Sequence, residues 1–241
     1  MFSKNNIHFK SIDSTNNFAL NLKGKTIFKE GLVISTDYQF EGKGQMNNTW
    51  ASQPNVNLLL SIVYEPNIKI NKKFDISKIA ALSICDFFSK ISLKAKIKWP
   101  NDIILNNNKI AGLLIHNILS NQLITHSIIG VGINVNQLSF PHFSIPATSI
   151  RLCSGKLYEL DLLKKSLLEC FSRRINMYRI DVKSINEYQK MIFGLNKKML
   201  FEINNVQCQG IIKGVDENGL LKIQFSNKLK LFNFKEIKFL F

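Results

Sequence analysis

The chain has 241 residues, of which 45% are hydrophobic and 10% aromatic, so it is able to bury a large core and is not compositionally disordered. Its formal net charge of +15 points to an acidic partner or an anionic ligand, although lysines mixed with asparagine and isoleucine are equally typical of a compositional bias. No apolar run reaches the roughly 18 residues of a membrane helix, and the opening MFSKNNIHFK lacks the apolar segment of a signal peptide. The sequence therefore predicts a cytoplasmic protein.

The cysteines and histidines do not have the spacing of a metal site. The sequence contains no C-x-x-C pair and no H-E-x-x-H, so reduced thiols packed as small hydrophobic side chains are the favoured interpretation. We therefore predict that no metal is bound by protein ligands alone. The four isolated cysteines are Cys85, Cys153, Cys170 and Cys208.

The N-terminal part of the chain alternates between strand and helix patterns. Residues 6–12 alternate like a strand, and either Asp13 or Ser14 is placed to cap a short helix that follows. Residues 31–40 are rich in β-branched side chains and predict a buried strand. The glycine- and asparagine-rich segment 41–57 comes next, and its length is typical of a functional loop.

The middle of the chain predicts a sheet with one long helix. Residues 58–66 and 94–100 have strand patterns, whereas residues 74–91 carry apolar side chains at helical spacing. The asparagine triplet 106–108 is turn-forming and predicts a hairpin between IIL and KIAGLLIHNIL. A further strand is predicted at THSIIGVGINVN.

The C-terminal part of the sequence predicts one amphipathic helix followed by a β-rich segment. Residues 161–180 have the helical pattern, and from about residue 193 short alternating strands take over, with Glu217-Asn218-Gly219 as a hairpin turn. We therefore predict an α+β fold, in which a mixed sheet carries its helices mainly on one face. This body would span residues 1–190, and residues 191–241 would form a small β-barrel.

Three glycine-containing segments are candidates for a ligand site. The GKG segment 42–44 allows a backbone to approach an anion closely, but it matches neither G-x-x-x-x-G-K-[ST] nor G-x-G-x-x-G. Trp50 follows in the same loop and either pins the loop to the core or closes over a ligand. Gly112 and Gly132 interrupt apolar strands, which predicts either a slot over the sheet or tight packing against the long helix.

Two lysines flank the apolar run in KWPNDIILNNNKIAG, at positions 98 and 109. A lysine at a strand edge beside such a slot is suited to neutralising a carboxylate and a phosphate together. Activation of a carboxylate by ATP requires this, because two anions must meet in line. The residues by themselves do not choose between Lys98 and Lys109.

The order and spacing of the motifs resemble biotin protein ligases. KWPND at 98–102 and KIAG at 109–112 are highly specific for that family, and the resemblance extends over about residues 8–150. It implies a class II synthetase-like catalytic domain, and the β-rich tail resembles the family's C-terminal SH3-like domain. The other blocks are STN at 14–16, Q-x-x-G-K-G-x-x-x-x-x-W at 39–50, N-L-x-x-S at 57–61 and GVGINVN at 130–136.

The resemblance implies a two-step ligase reaction. Biotin and MgATP would give biotinyl-5′-AMP and pyrophosphate, and the acyl group would then pass to one lysine of a biotin carboxyl carrier domain, typically that of acetyl-CoA carboxylase. The residues implied as catalytic are Lys109 and, from the glycine-containing loop, Lys43. We expect a monomer or homodimer without DNA or membrane partners, and no repressor role, because the chain has no room before the catalytic blocks for a helix-turn-helix domain.

The resemblance also implies which residues hold the two substrates. Hydroxyl and amide groups suit the ureido group of biotin, whose N–H and C=O groups need partners once buried. The implied biotin-binding residues are Ser14, Thr15, Asn16, Gln39, Lys43, Gly44, Gln45, Lys109 and Gly112. The implied nucleotide-side residues are Gly42, Trp50, Lys98, Asn101, Asp102 and Asn134, with Phe140 or Phe143 as a cover for the adenine.

Four positions depart from the family's pattern. Lys43 replaces a usual arginine, Gln45 stands where some members have arginine, and Asn47 stands where glycine is usual. His116 occupies a position that is commonly acidic. We expect activity to survive these changes, whereas the retention of the adenylate is left open.

Three rival interpretations remain at this point. A lipoate ligase or octanoyl transferase shares the fold, but the sequence has no R-R-x-S-G-G-G block. A nucleic-acid-binding protein would need clustered cations or an aromatic stacking platform, and the cations are dispersed along this sequence. An inactive ligase-like domain is disfavoured because Lys109, the GKG segment and KWPND are all intact.

Overall fold

The larger sheet of the protein is mixed and contains eight strands in the order β1-β2-β3-β8-β7-β6-β5, with β4 pairing β8 off this path. The computed structural model describes residue 2, residues 5–45 and residues 48–240, so the predicted departure at Asn47 lies outside the described residues. Within this sheet β1 and β2 are parallel, and the other pairings are antiparallel. The strands are β1 Asn5–Phe9, β2 Leu32–Thr36, β3 Asn57–Tyr64, β4 Ile68–Lys69, β5 Lys96–Lys98, β6 Asp102–Leu105, β7 Asn108–Ser120 and β8 Leu123–Asn134.

Five α-helices accompany the sheet within the described residues. The two long ones, α2 and α4, pack against each other and share one buried core with the sheet, which confirms the prediction of two principal helices on one face. Ser14 rather than Asp13 caps α1, since its hydroxyl accepts a hydrogen bond from the Asn17 N–H at 3.4 Å. The helices are α1 Thr15–Asn21, α2 Lys73–Lys90, α3 Ile150–Ser154, α4 Leu160–Ile180 and α5 Glu187–Met191.

The two faces of the central strands have different roles. Leu60 of β3 and Val131 of β8 point into the core under α2 and α4. Because successive side chains alternate between faces, Ser61, Gly130 and Gly132 lie on the opposite face. The helix α1 covers one end of that face through a separate small cluster, and the rest is available for a site.

The hairpin between β6 and β7 turns where the sequence predicted. Asn106 and Asn107 adopt left-handed backbone conformations, with φ of 49° and 63°, and Asn108 is already the first residue of β7. The pairing sets Asp102 opposite Gly112, and a register shift follows between Ile103 and Ile104. This pairing brings the KWPND segment and the KIAG segment next to each other.

The C-terminal part forms a separate antiparallel sheet in the order β12-β11-β10-β9-β13. The predicted turn at Glu217-Asn218-Gly219 joins β10 to β11, and Gly219 has a φ of 93°. Closure of this sheet into a barrel stays a prediction, as does the boundary at residues 190 and 191. The strands are β9 Lys198–Ile203, β10 Val206–Val215, β11 Leu221–Phe225, β12 Lys228–Phe232 and β13 Lys238–Leu240.

The second sheet packs tightly against the first part of the chain. Phe201 and Ile212 belong to the same buried cluster as the residues of α2. The indole N–H of Trp99 donates a 2.8 Å hydrogen bond to the carbonyl of Gly219, and a Cβ on Gly219 would meet the Phe74 ring at 2.7 Å. Among the described residues, no helix is both long and apolar enough to cross a membrane.

Candidate active site

A cavity of about 730 Å³ lies over the face of the sheet opposite α2 and α4. Its walls come from α1, the glycine-containing loop, the β6–β7 hairpin, β8, the segment after β8 and the C-terminal sheet. A volume of this size is typical of sites for small ligands. The cavity gathers residues that are far apart in the sequence, and its two ends differ in chemistry.

One end of the cavity is polar and uncharged. Thr15 donates its backbone N–H to the Gln39 side-chain oxygen at 2.8 Å, and its hydroxyl lies 3.1 Å from the same oxygen. The Thr15 hydroxyl also lies 2.9 Å from that of Ser61. Ser14, Thr15 and Asn16 are all buried, because α1 packs its first turn against the sheet. This end presents hydroxyl and amide groups in fixed positions.

The Asn16 side chain is hydrogen-bonded by two groups that are not among the predicted site residues. Its side-chain N–H donates to the Leu114 carbonyl at 3.3 Å, and its side-chain oxygen contacts Nδ1 of His116. This arrangement makes Nδ1 of His116 the donor. Burial, and then the positive charge of Lys43, lower the pKa of His116, so the imidazole is neutral at neutral pH. A Cβ on Gly130 would lie 2.7 Å from the Asn16 amide nitrogen, so Gly130 makes room for that amide.

The glycine-containing loop folds as a small hairpin. The Trp50 N–H donates to the Gly42 carbonyl at 2.8 Å, and the Gly44 N–H donates to the Asn48 carbonyl at 2.7 Å. A Cβ on Gly42 would lie 2.5 Å from the Trp50 carbonyl oxygen, which explains the glycine there. Gly42 itself does not line the cavity, whereas Lys43 and Gly44 do.

The predicted slot between Gly112 and Gly132 exists, and the indole ring of Trp50 occupies it. A Cβ on Gly132 would lie 2.5 Å from the ring, and one on Gly112 would lie 2.9 Å from it. The ring centre is 5.6 Å from the Lys109 ammonium group. Among the described residues, the buried Trp50 Nε1 and Gln45 Oε1 have no hydrogen-bond partner.

The other end of the cavity is cationic, with one carboxylate between two lysines. Asp102 lies 2.6 Å from the Lys109 nitrogen and 3.2 Å from the Lys98 nitrogen. Burial raises the pKa of Asp102, but the charges of Lys109 and Lys98 outweigh this effect, and the net pKa lies below its usual value. The Lys98 side chain is 10% exposed, with its ammonium group over the Phe239 ring, whereas the Lys109 side chain is 31% exposed. Lys109 is thus the lysine of the pair that a ligand reaches.

Two of the predicted nucleotide-side residues are engaged in holding the backbone. Asn101 donates its side-chain N–H to the Leu113 carbonyl at 2.9 Å, and Asn134 donates to the Thr148 carbonyl at 2.9 Å. The backbone of Lys109 is also fixed by the segment after β8, since its N–H donates to the Pro146 carbonyl at 2.8 Å. These bonds anchor the floor of the cavity.

The structure brings the predicted site residues together around this cavity, with Gly42 behind its wall. Phe140 and Phe143 also line it. Which substrate each residue contacts stays a prediction. The sequence interpretation missed a group from the C-terminal sheet, whose positions carry no local signal because they reach the cavity only through tertiary packing. These residues are Phe234, Lys235, Ile237, Lys238 and Phe239.

Comparisons with known proteins find related sequences. Residues 8–134 match the model of the Biotin/lipoate A/B protein ligase family. The bifunctional ligase/repressor BirA of Bacillus spizizenii is 28% identical over 209 residues, which cover 83% of this chain and 64% of that protein. A biotin–[acetyl-CoA-carboxylase] ligase of Paracoccus denitrificans is 24% identical over 219 residues, covering 87% of this chain and 90% of the relative.

The fold has close counterparts among solved structures. A biotin protein ligase from Aquifex aeolicus in complex with biotin and ATP has a TM-score of 0.79 to this chain, at 24% identity, and covers 98% of each chain. A biotin protein ligase from Leishmania major in complex with biotin has a TM-score of 0.63 at 18% identity. These likenesses establish the fold, including the presence of the C-terminal sheet.

Proposed function

The chain belongs to the biotin/lipoate A/B protein ligase family, and on this basis we propose that it attaches biotin to a lysine of a biotin carboxyl carrier domain, with biotinyl-5′-AMP as the intermediate. The name of the Paracoccus denitrificans relative supports this choice within the family. The observation that carries it is the polarity of the cavity, which has an uncharged hydrogen-bonding end and a cationic end. Biotin has a neutral ureido ring and a carboxylate tail in the same arrangement.

The polar end distinguishes biotin from lipoate. The ureido group of biotin has two N–H donors and one carbonyl acceptor, and the hydroxyl and amide groups of Thr15, Asn16 and Gln39 are able to pair with them. The dithiolane ring of lipoate has no such groups, so it would gain no hydrogen bonds from these side chains, whereas a typical hydrogen bond contributes about 0.5–1.5 kcal/mol. We therefore favour biotin as the substrate.

In the first step, an oxygen of the biotin carboxylate attacks the α-phosphorus of ATP. A bond forms between that oxygen and phosphorus, and the bond from phosphorus to the pyrophosphate oxygen breaks. Two anions approach each other, so the positive charges of Lys109 and Lys43 would lower the barrier by stabilising the developing charge. Asp102 positions the Lys109 ammonium group by the 2.6 Å ion pair.

In the second step, the neutral amine of the acceptor lysine attacks the acyl carbon. An amide bond forms, the amine loses a proton, and AMP leaves with the oxygen that joined it to the acyl group. We propose a carrier domain of acetyl-CoA carboxylase or a related carboxylase as the acceptor, in the cytoplasm where ATP is supplied. The net charge of +15 would favour an acceptor with an acidic surface.

Magnesium would enter as its complex with ATP. The described residues contain no group of three or more His, Cys, Asp or Glu side chains able to hold a metal ion. Mg²⁺ is commonly held by substrate phosphates and water with few protein ligands, so this chain's residues fit that mode. Magnesium supplies charge neutralisation on the phosphates, and the lysines add to it from the protein side.

We propose residues 1–190 as the catalytic domain and residues 191–241 as a C-terminal domain that completes the cavity. Phe239 stacks under the Lys98 ammonium group at 5.0 Å, and Lys235 lines the same cavity. The Trp99–Gly219 hydrogen bond links the KWPND segment to the turn between β10 and β11. The C-terminal domain would therefore position the nucleotide side of the site.

The experiment that tests the function is a search for the acyl-adenylate. The purified protein is incubated with MgATP and either biotin or lipoate, and the product is identified by mass spectrometry. We expect biotinyl-AMP from biotin and no adenylate from lipoate. Lipoyl-AMP as the dominant product, or no adenylate from folded protein, would contradict the proposal.

We expect His116→Ala to raise the KM for biotin about fivefold and to leave kcat nearly unchanged, since the loss of one hydrogen bond to Asn16 costs about 1 kcal/mol. The measurement is steady-state adenylate formation at several biotin concentrations. His8→Ala is the matched control, because His8 lies on the edge strand β1, hydrogen-bonds Ser35 and does not line the cavity. An unchanged KM in His116→Ala would show that Asn16 needs no support from the imidazole.

A further inference from the structure

A second cavity, of about 550 Å³, lies at the junction of the two sheets and outside the candidate active site. It is lined by the outer part of the β5–β6 hairpin, the end of α5 and the segment that enters β9. Five of its thirteen lining residues are lysines, and none of the thirteen is acidic. The lysines are Lys94, Lys96, Lys190, Lys197 and Lys198.

This concentration of lysine does not follow from the composition of the chain. Lysine and arginine together account for 32 of 241 residues, a much smaller share than in the cavity. All five side chains are exposed, and none forms an ion pair within 4.0 Å among the described residues. The Lys96 ammonium group is oriented by a 3.1 Å hydrogen bond to the carbonyl of Lys190. Five lysines thus line one concavity, and no acidic side chain of the described residues lies among its lining.

The shape and the charge together select the class of ligand. Like charges on the wall of a concavity add their potentials and concentrate anions there. A recessed cavity of this volume suits a small molecule better than the flat surface of a protein partner. We propose that this cavity binds a small inorganic polyphosphate, that is, an anion with two or three linked phosphate groups.

Linked phosphates fit better than a single phosphate because the lysines come from three separate elements. Lys96 lies on β5, Lys190 on α5 and Lys198 on β9. A chain of phosphates is long enough to pair with lysines on more than one of these elements at once. A bound polyphosphate would thereby connect the larger sheet to the C-terminal sheet.

The test is isothermal titration of the full chain with sodium tripolyphosphate, at constant ionic strength and without magnesium or biotin. We expect one saturable site, with binding at least about tenfold weaker in Lys96→Gln/Lys198→Gln. The matched control is Lys165→Gln/Lys183→Gln, which removes two equally exposed lysines outside the cavity and should leave the affinity unchanged. Because the measurement needs no turnover, it is independent of the proposed ligase function.

Further variants separate this cavity from other anion sites. Lys109→Met should retain tripolyphosphate binding, and the second cavity pair Lys94→Gln/Lys197→Gln should weaken it. The proposal would be overturned if the control pair lost as much affinity for tripolyphosphate as the cavity pairs, or if Lys109→Met lost that affinity. Full affinity in both cavity pairs would overturn it as well. Binding of a dodecathymidylate that depends on Lys96 and Lys198, without any binding of tripolyphosphate, would also overturn it and indicate a nucleic-acid site instead.

Discussion

Replacing Lys109 with methionine is expected to reduce the formation of biotinyl-5′-AMP at least about 100-fold while the protein stays folded. The Lys109 ammonium group is 2.6 Å from Asp102 and is more exposed than that of Lys98, so it is the charge that meets the reacting anions. Methionine retains a flexible chain of similar length beside Trp50. Lys98 continues to neutralise the buried carboxylate of Asp102, so the loss is expected in chemistry rather than in folding.

The measurement is adenylate formation by mass spectrometry together with pyrophosphate release, at saturating biotin and MgATP. Lys165→Met on the exposed side of α4 removes the same charge far from the cavity and should keep full activity. Thermal unfolding of both variants checks that each is folded. A Lys109→Met protein that forms the adenylate within threefold of the native rate would remove Lys109 from the mechanism.

Local features of the fold were predictable because they depend on local chemistry. The left-handed conformations at Asn106 and Asn107 follow from the tolerance of asparagine for positive φ, and Ser14 is a favourable helix cap. The turn at Glu217-Asn218-Gly219 was predictable for the same reason, since glycine accepts a φ of 93° without strain. At the two turns the residue type favours the backbone conformation, whereas Asp13 and Ser14 are both favourable caps and only the structure distinguishes them.

The choice between Lys98 and Lys109 shows where residue patterns alone were insufficient. Both lysines flank the same apolar run, and their difference lies in burial. The C-terminal sheet covers Lys98 with the Phe239 ring at 5.0 Å, and it leaves Lys109 open to the cavity. That covering depends on packing between residues about 140 positions apart, and no pattern in the KWPND segment reports it.

The slot over the sheet was predictable in its position but not in its content. Glycine inside an apolar strand indicates that something approaches the backbone closely, and Gly112 and Gly132 do face each other on β7 and β8. The sequence left open whether the space is a slot for a ligand or is filled by packing against the long helix, and it did not predict that Trp50 fills it. The indole ring fills it because the loop hairpin between Gly42 and Trp50 folds back onto the sheet.

Gly132→Ala is expected to raise the KM for biotin at least about tenfold, which corresponds to about 1.4 kcal/mol. The new Cβ would lie 2.5 Å from the Trp50 ring, and overpacking of this kind costs about 1–3 kcal/mol, so the ring and its loop would be displaced from the sheet. The measurement is steady-state adenylate formation, with Trp50 fluorescence taken as the difference from Trp50→Phe to detect the movement of the ring.

The matched test is a double-mutant cycle with Trp50→Ala. If Gly132→Ala acts by displacing the ring, its effect on KM should vanish once the ring is absent, so the double variant should resemble Trp50→Ala alone. Additive effects of the two substitutions would instead mean that the Cβ at position 132 obstructs biotin directly. The cycle therefore decides whether Gly132 makes room for the Trp50 ring, which the loop holds between Gly112 and Gly132, or makes room for biotin itself.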